Sequence, residues 1–164
     1  MPLRLFRLAA ILLVALLAGL AFAHVLERPA KMQFDSALYI TIQKSLYAQW
    51  GPPHFGAILE PAAILATGLL AFHLRKDRRG LSFAFGALFA LLLAFPVVFF
   101  WRVAPANAAF LAVTLPTVPA NWGDLRTNWE LGHAIRFVLQ FAALALLTLD
   151  ATTSPKNLAI PTPP

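Results

Sequence analysis

Cysteine is missing from this chain of 164 residues, and charged side chains are scarce. The lack of cysteine excludes disulfide bonds, thiolate nucleophiles, zinc knuckles and iron–sulfur clusters. Charged residues make up only 12% of the chain, whereas a typical soluble domain has about 25%. Hydrophobic residues make up 60%, so the composition argues against a soluble globular protein and excludes a disordered one. The sequence also lacks an internal repeat, a phosphate-binding glycine loop and a hydrolase motif.

Four long apolar segments dominate what is present. A helix needs about 20 apolar residues to cross the hydrocarbon core of a bilayer, and continuous rather than alternating runs favour helices over barrel strands. We therefore predict an all-α, four-transmembrane-helix bundle that forms one domain over residues 1–150 and contacts the lipid bilayer. The proline-rich residues 151–164 are expected to form a disordered tail. The apolar segments are residues 8–26, 55–72, 81–101 and 131–149.

The positive charges indicate an orientation in the membrane. The formal net charge is +6, and the dense basic run lies in a short loop between the second and third apolar segments. Short loops rich in Lys and Arg stay in the cytoplasm, and Arg4 and Arg7 before the first segment fall on the same side. We predict an integral protein of the plasma or inner membrane, with both termini cytoplasmic and no nucleic-acid partner. The run consists of Arg75, Lys76, Arg78 and Arg79.

The first apolar segment has an alternative interpretation as a secretory signal. Arg4 and Arg7 precede an apolar core that ends in Ala21-Phe22-Ala23, a pattern typical of a cleavage site. The apolar run is longer than the roughly 7–15 residues of a signal, so retention of this segment as a helix is the preferred prediction.

The loop after the first segment predicts an amphipathic helix. Five apolar residues recur there every four positions, which indicates four to five helical turns on the outer membrane surface or over the end of the bundle. A second outer loop, residues 102–120, contains three prolines yet is apolar, and it is expected to be either a lid or an interfacial segment. The apolar face of the amphipathic helix is Phe34, Leu38, Ile42, Leu46 and Trp50.

A polar stripe runs along the helix that contains the fourth segment. Its spacings of four, three, four, three and four residues are those of one helix face. Lipid does not tolerate such side chains, so the face is expected to point into protein or a wet cavity. Glu130 lies beside the stripe, as an (i, i+4) partner for Arg126 and an (i, i+3) partner for His133. The stripe is Trp122, Arg126, Trp129, His133, Arg136 and Gln140.

Connectivity brings several of these groups to one depth near the outer surface. His24 and Glu27 lie at the outer end of the first helix, and Glu60 lies about 8 Å below the outer end of the second. Pro61 follows Glu60 and is expected to break that helix beside a cavity. The alternative for Glu60 is a salt bridge to Arg136 or Arg126 that locks the bundle. The predicted catalytic residues are Glu60, Arg126, Glu130, His133 and Arg136.

The same region suggests a single metal ion. Glu130-x-x-His133 has the spacing of carboxylate-bridged metal sites in helix bundles, and His24-x-x-Glu27 has it in reverse order. With Glu60 these five ligands, His24, Glu27, Glu60, Glu130 and His133, suit iron, manganese, copper or zinc.

Two alternatives to a bare metal ion stay open. A haem between His24 and His133 is the weaker one, because carboxylates are poor neighbours for it. In a metal-free site, Glu60 or His133 would take a proton while Arg126 or Arg136 holds an anion.

Three stretches resemble the anthrone oxygenase-like family of small four-helix membrane proteins, whose bacterial members are mostly a domain of unknown function. The stretches are residues 23–30 (AHVLERPA), the set Tyr39, Gln43, Tyr47 and Trp50-Gly51, and Trp122-x3-Arg126-x2-Trp129-Glu130-x2-His133-x2-Arg136-Phe137. The resemblance implies an oxidoreductase or oxygenase that acts on a small apolar molecule, as the fungal members oxygenate an anthrone to an anthraquinone.

A non-catalytic reading competes with the enzyme. In it the chain is a membrane subunit or assembly partner of another protein, and the polar stripe only fixes packing and register. A transporter or ion pathway is a further alternative, against which the lack of an inverted repeat argues.

Overall fold

The computed structural model describes residues 2–51, 54–115 and 117–153, and this part of the chain is helical throughout, with turns and loops but no strand. Helix α4 continues through a π-helical segment into α5 without a break. The elements are α1 (Pro2–Lys31), α2 (Ser36–Ser45), a 3-10 turn (Tyr47–Gln49), α3 (Phe55–His73), α4 (Arg78–Leu92), the π segment (Leu93–Val103), α5 (Ala104–Ala112) and α6 (Trp122–Thr153). The predicted tail lies mostly outside the described residues.

Three helical stretches are long and apolar enough to cross a membrane: Leu3–Lys31, Arg78–Ala112 and Trp122–Thr153. Large apolar side chains such as Leu12, Phe89 and Phe141 are exposed on their outer surfaces, as lipid contact requires. The prediction of an integral membrane protein that contacts the bilayer is therefore confirmed. The apolar part of α3, Ile58–His73, is shorter than these three.

The four longest helical stretches pack in a ring, because α1 and α4 each contact both α3 and α6. Small buried residues such as Ala63, Ala84 and Ala143 line the contacts and let the helices approach closely. At one end the Arg7 guanidinium pairs with Asp150 at 2.7 Å and joins the start of α1 to the end of α6. We call this the Arg7 end. The opposite end, where His24 lies, is the His24 end.

Helix α2 exists where the sequence predicts an amphipathic helix, but its length and buried face differ from the prediction. It has only 10 residues and begins at Asp35, whose side chain accepts a hydrogen bond from the Leu38 amide. Leu38 and Leu46 are 46% and 45% exposed, whereas Tyr39 is buried. Phe34, Ile42 and Trp50 of the predicted apolar face do pack against the bundle. Leu38 and Leu46 do not, because the contact of Tyr39 with Glu130 on α6 turns the side of α2 that carries Tyr39 inward.

The second outer loop is largely helix. Residues 104–112 form α5, which packs against α2 and α6. Pro105 lies in the first turn of α5, where its missing N–H costs no hydrogen bond. Phe110 and Val113 are buried against α2, so this segment covers the His24 end, as the lid interpretation expected.

The π segment between α4 and α5 was not foreseen. It contains Pro96 and winds more widely than an α-helix. Phe95, Phe99 and Val103, which are four residues apart, turn toward the interior of the bundle.

Candidate functional site

A cavity of about 80 Å³ lies at the His24 end between α1, α3, the π segment and α6. That volume holds a few water molecules or the end of a small ligand. Its walls are mostly apolar and aromatic, with a few polar groups turned inward. The polar lining residues are His24, Glu60, Asn107, His133, Arg136 and Gln140, and the aromatic ones are Tyr47, Trp50, Phe95, Phe99 and Trp129.

Two imidazoles in this wall lie in contact, with their planes tilted by 46°. The ring centres of His24 on α1 and His133 on α6 are 4.1 Å apart. The Trp129 indole is 4.2 Å from His133 and 4.9 Å from His24, and the Tyr47 ring is 4.9 Å from His24. Among the described residues the Nδ1 atom of His24 is buried without a hydrogen-bond partner, and it lies 3.8 Å from Glu27 Oε2. The pair is therefore enclosed by aromatic rings, with one carboxylate close to His24.

Arg136 forms a buried ion pair with Glu60, so the alternative expected for Glu60 is the contact observed. Gln140 Nε2 lies 3.4 Å from the same Glu60 oxygen, and Arg136 Nη1 lies 3.5 Å from His133 Nδ1. Gln140 Oε1 and Arg136 Nε are buried and have no hydrogen-bond partner in the described part of the chain. This side of the cavity thus offers one unused acceptor and one unused donor.

The expected break in the second helix is wrong. Helix α3 runs from Phe55 to His73 with Pro61 inside it. Pro61 lies in the second turn, so it removes one backbone hydrogen bond near the helix start without ending the helix. Glu60 therefore faces the cavity from a continuous helix.

A second polar cluster centres on Lys31, which sequence analysis did not single out. The buried Lys31 ammonium lies 3.2 Å from Glu130 Oε1 and 3.5 Å from Glu27 Oε2. Tyr39 donates a hydrogen bond of 2.9 Å to Glu130, and Tyr47 donates one to Glu27. This cluster ties α2 and the 3-10 turn to α1 and α6. The available sequence signal was the (i, i+4) spacing of Glu27 and Lys31.

Both tyrosines of the cluster stay protonated over a wide pH range. Burial, and then the neighbouring Glu130 carboxylate, raises the pKa of Tyr39 well above its usual value. Burial, and then the hydrogen bond to Glu27, does the same to the pKa of Tyr47. Each phenol is therefore a fixed donor to its carboxylate.

The structure separates the five predicted catalytic residues. Glu60, His133 and Arg136 line the cavity, whereas Arg126 and Glu130 do not. Arg126 does not make the expected pair with Glu130, since it donates to the Phe34 carbonyl at 3.1 Å and lies 4.5 Å from the Trp122 ring centre. The buried part of the predicted stripe, Trp129, His133, Arg136 and Gln140, does face the bundle interior.

The predicted metal set is not assembled. Within the described ranges, no three His, Asp or Glu side chains gather closely enough to hold a metal ion. Glu60 is engaged by Arg136, while Glu27 and Glu130 share Lys31. The sequence spacing could not show that each of these three carboxylates pairs with a cation.

The haem alternative also fails on distance. Metal–nitrogen bonds of about 2 Å place the ring centres of two axial imidazoles roughly 6 Å apart on opposite sides of an iron. The centres of His24 and His133 are only 4.1 Å apart, which leaves no room for a porphyrin between them.

A groove of about 550 Å³ adjoins the cavity and leads to the surface. The two spaces share lining residues, including Tyr47, Phe95 and Phe99. The groove walls are largely apolar, and Phe100 and Leu111 at its rim are exposed. The apolar groove therefore lies next to the cavity that holds the imidazole pair, with Tyr47, Phe95 and Phe99 between the two spaces.

No family model, curated protein or solved structure matches this chain. The resemblance to the anthrone oxygenase-like family stays a prediction, and the function is inferred from the geometry of the site.

Proposed function

We propose that α3 spans the membrane with the other three stretches, that both termini are cytoplasmic and that the His24 end faces outward in the plasma or inner membrane. Helix α3 has 19 residues, a length of about 28 Å at 1.5 Å per residue. The large exposed side chains along it, among them Ile58, Leu65 and Phe72, are apolar, and the exposed His73 is its last residue. The basic run lies in the short connection between α3 and α4, next to the Arg7 end.

We propose that the cavity binds a small, largely apolar molecule that carries a carbonyl or hydroxyl group, and that the protein oxygenates this molecule. The observation that carries the proposal is an aromatic-walled cavity whose lining includes the enclosed imidazole pair together with Arg136 and Gln140, two side chains that keep buried atoms without a hydrogen-bond partner among the described residues. Such a site combines a proton acceptor with donors for an oxyanion. The resemblance of this chain to the anthrone oxygenase-like family agrees with it.

Each lining residue has a defined role in this scheme. His24 or His133 takes a proton from an acidic carbon conjugated with the substrate carbonyl, which in an anthrone is the CH2 across the central ring, and Arg136 donates to the carbonyl oxygen as negative charge develops there. Gln140 Oε1 is an acceptor for a substrate hydroxyl. Glu60 is a positioning residue that holds Arg136. The carbanion then reacts with dioxygen. For an anthrone, the sum is anthrone plus dioxygen giving anthraquinone plus water.

Two residues outside the cavity act on its cover. Glu130, through Tyr39 and Lys31, and Arg126, through the Phe34 carbonyl, fasten the segment between α1 and the 3-10 turn over the His24 end. We assign both as positioning residues that keep water out of the site.

The test uses detergent-purified protein with anthrone as the probe, followed by oxygen uptake and the absorbance of anthraquinone. The His24→Ala/His133→Ala double variant should lose about 10²-fold or more of the protein-dependent rate, the usual contribution of a general base. His73→Ala is the matched control, because His73 is an exposed histidine at the Arg7 end. Equal rates for the parent, the double variant and protein-free buffer would overturn the proposal and favour the non-catalytic subunit.

A further inference from the structure

The groove beside the cavity is larger than the cavity itself and has a different chemistry. Its volume of about 550 Å³ lies in the range of pockets that hold drug-sized ligands, roughly 300–1,000 Å³. Aromatic and aliphatic walls surround it, with Phe95, Phe99 and Phe100 from the π segment and Phe110 and Leu111 from α5. A small polar substrate would not need this apolar space.

The cavity, which lies at the inner side of the groove, favours a ligand that carries one polar group. Gln140 Oε1, Arg136 Nε and His24 Nδ1 are buried and lack a hydrogen-bond partner within the part of the chain that the structure describes. All three side chains line the cavity. Buried polar atoms of this kind are normally satisfied, so a ligand carbonyl or hydroxyl that reaches them gains hydrogen bonds that the protein itself does not make.

The groove opens among exposed apolar side chains. Phe100 and Leu111 both belong to the apolar stretch Arg78–Ala112, which is long enough to cross a membrane, and both are exposed. The groove lining also includes the exposed His54. A molecule dissolved in the bilayer could enter past Phe100 and Leu111, since both side chains are apolar.

We propose that the ligand is a membrane-dissolved amphiphile, with a carbonyl- or hydroxyl-bearing ring in the cavity and an apolar chain in the groove, which it enters sideways from the bilayer. This inference rests on the proposed function, because it uses the same cavity, and it adds the substrate class and the access route. The aromatic walls at Trp129 and Phe99 enclose the ring, and the walls at Phe100 and Leu111 enclose the chain.

The experiment compares two probes that share one ring, decylubiquinone with a decyl chain and ubiquinone-0 without it. Binding to the detergent-purified chain is read from quenching of tryptophan fluorescence, since Trp50 and Trp129 line the cavity. Ala108→Trp fills the groove from an exposed position on α5. It should weaken decylubiquinone binding about fifteenfold, the effect of expelling two methylenes, and should change ubiquinone-0 binding less than about twofold.

Two further variants separate the parts of the site. Ala112→Trp is the matched control, because Ala112 is an exposed alanine of α5 that lies outside the groove, and both affinities should stay unchanged. Glu60→Leu/Arg136→Met, which removes the Arg136 donor without leaving Glu60 unpaired, should weaken both probes by a similar factor, about tenfold for one lost hydrogen bond to a quinone carbonyl.

The outcomes are distinguishable from those of the anthrone test. If neither probe binds, or if Ala108→Trp and Ala112→Trp lose equal affinity for decylubiquinone, the amphiphile proposal is overturned. The anthrone test is not affected by either result. A chain-dependent loss confined to Ala108→Trp supports the inference even where anthrone is not oxidised. Displacement of decylubiquinone by added phospholipid would mean that the groove holds a lipid chain. That result would also overturn the inference.

Discussion

The two tyrosines offer a matched pair of substitutions that tests how the His24 end is held together. Each phenol donates to a glutamate on a neighbouring helix, Tyr39 to Glu130 and Tyr47 to Glu27. The acceptors differ in burial, because Glu130 is 1% exposed and the Glu27 side chain is 36% exposed. Replacing either tyrosine by phenylalanine removes only the hydroxyl.

The expected costs follow from what replaces the lost donor. In Tyr39→Phe no water reaches Glu130, so the variant should lose the full value of a hydrogen bond to a charged group, about 1.5–3 kcal/mol. In Tyr47→Phe water can reach the half-exposed Glu27, and the cost should be about 0.5–1 kcal/mol. The free energies of unfolding should therefore differ by roughly 1–2 kcal/mol between the variants.

The assay is equilibrium unfolding of purified protein in mixed micelles with increasing denaturing detergent, followed by tryptophan fluorescence. Hydrogen exchange adds a local measure, since the amides of α2 should exchange faster in Tyr39→Phe by the factor that corresponds to the lost stability. Equal costs for the two variants, or a larger cost for Tyr47→Phe, would refute the view that the buried Tyr39–Glu130 bond fastens α2 to the bundle.

Three other predictions follow from the same contacts. Glu60→Ala leaves the Arg136 charge buried and unpaired, so detergent unfolding should show a loss of about 3–5 kcal/mol, whereas Glu60→Leu/Arg136→Met should regain most of it and still lack anthrone-dependent oxygen uptake. Gly132→Ala should cost about 1–3 kcal/mol because its Cβ would lie 2.7 Å from Val103 Cγ2, while Gly68→Ala, with nothing within 4 Å, should cost nothing. Since the fold raises the pKa of both tyrosines, tyrosinate absorbance should stay low to about pH 11. The contribution of these two protonated tyrosines to the free energy of unfolding should be complete below about pH 10 and should fall as the pH rises above it.

The long apolar helices could be predicted from the sequence because a bilayer imposes a length and an apolar composition on the helices that cross it. The predicted segment 55–72 and helix α3 (Phe55–His73) nearly coincide. The others extend beyond their apolar cores, as α6 does toward Trp122, because a helix continues into polar sequence until a capping or breaking signal ends it.

The covering elements were harder to predict, since periodicity does not show which side of a short helix is buried. On α2 the apolar repeat pointed to Leu38 and Leu46, yet Tyr39 is buried because its hydroxyl meets Glu130 on α6. That partner is 91 residues away in sequence, so no local pattern could reveal it.

The polar site was predicted in composition but not in pairing. The stripe on α6 correctly placed His133 and Arg136 toward the interior, because charged groups avoid lipid. Spacing did not show that Lys31 would lie between Glu27 and Glu130, and this lysine is what keeps the carboxylates from forming the expected metal set.

The most direct test of the central claim is an experimental structure of the protein with anthraquinone, the product of the proposed reaction. We predict that one end of the ring system occupies the cavity between Trp129 and Phe99, with its carbonyl oxygen within hydrogen-bond distance of Arg136 and the ring edge against His24 and His133. Anthraquinone bound elsewhere, or a cavity that stays filled only by solvent at concentrations that inhibit oxygen uptake, would contradict the assignment of this cavity as the site.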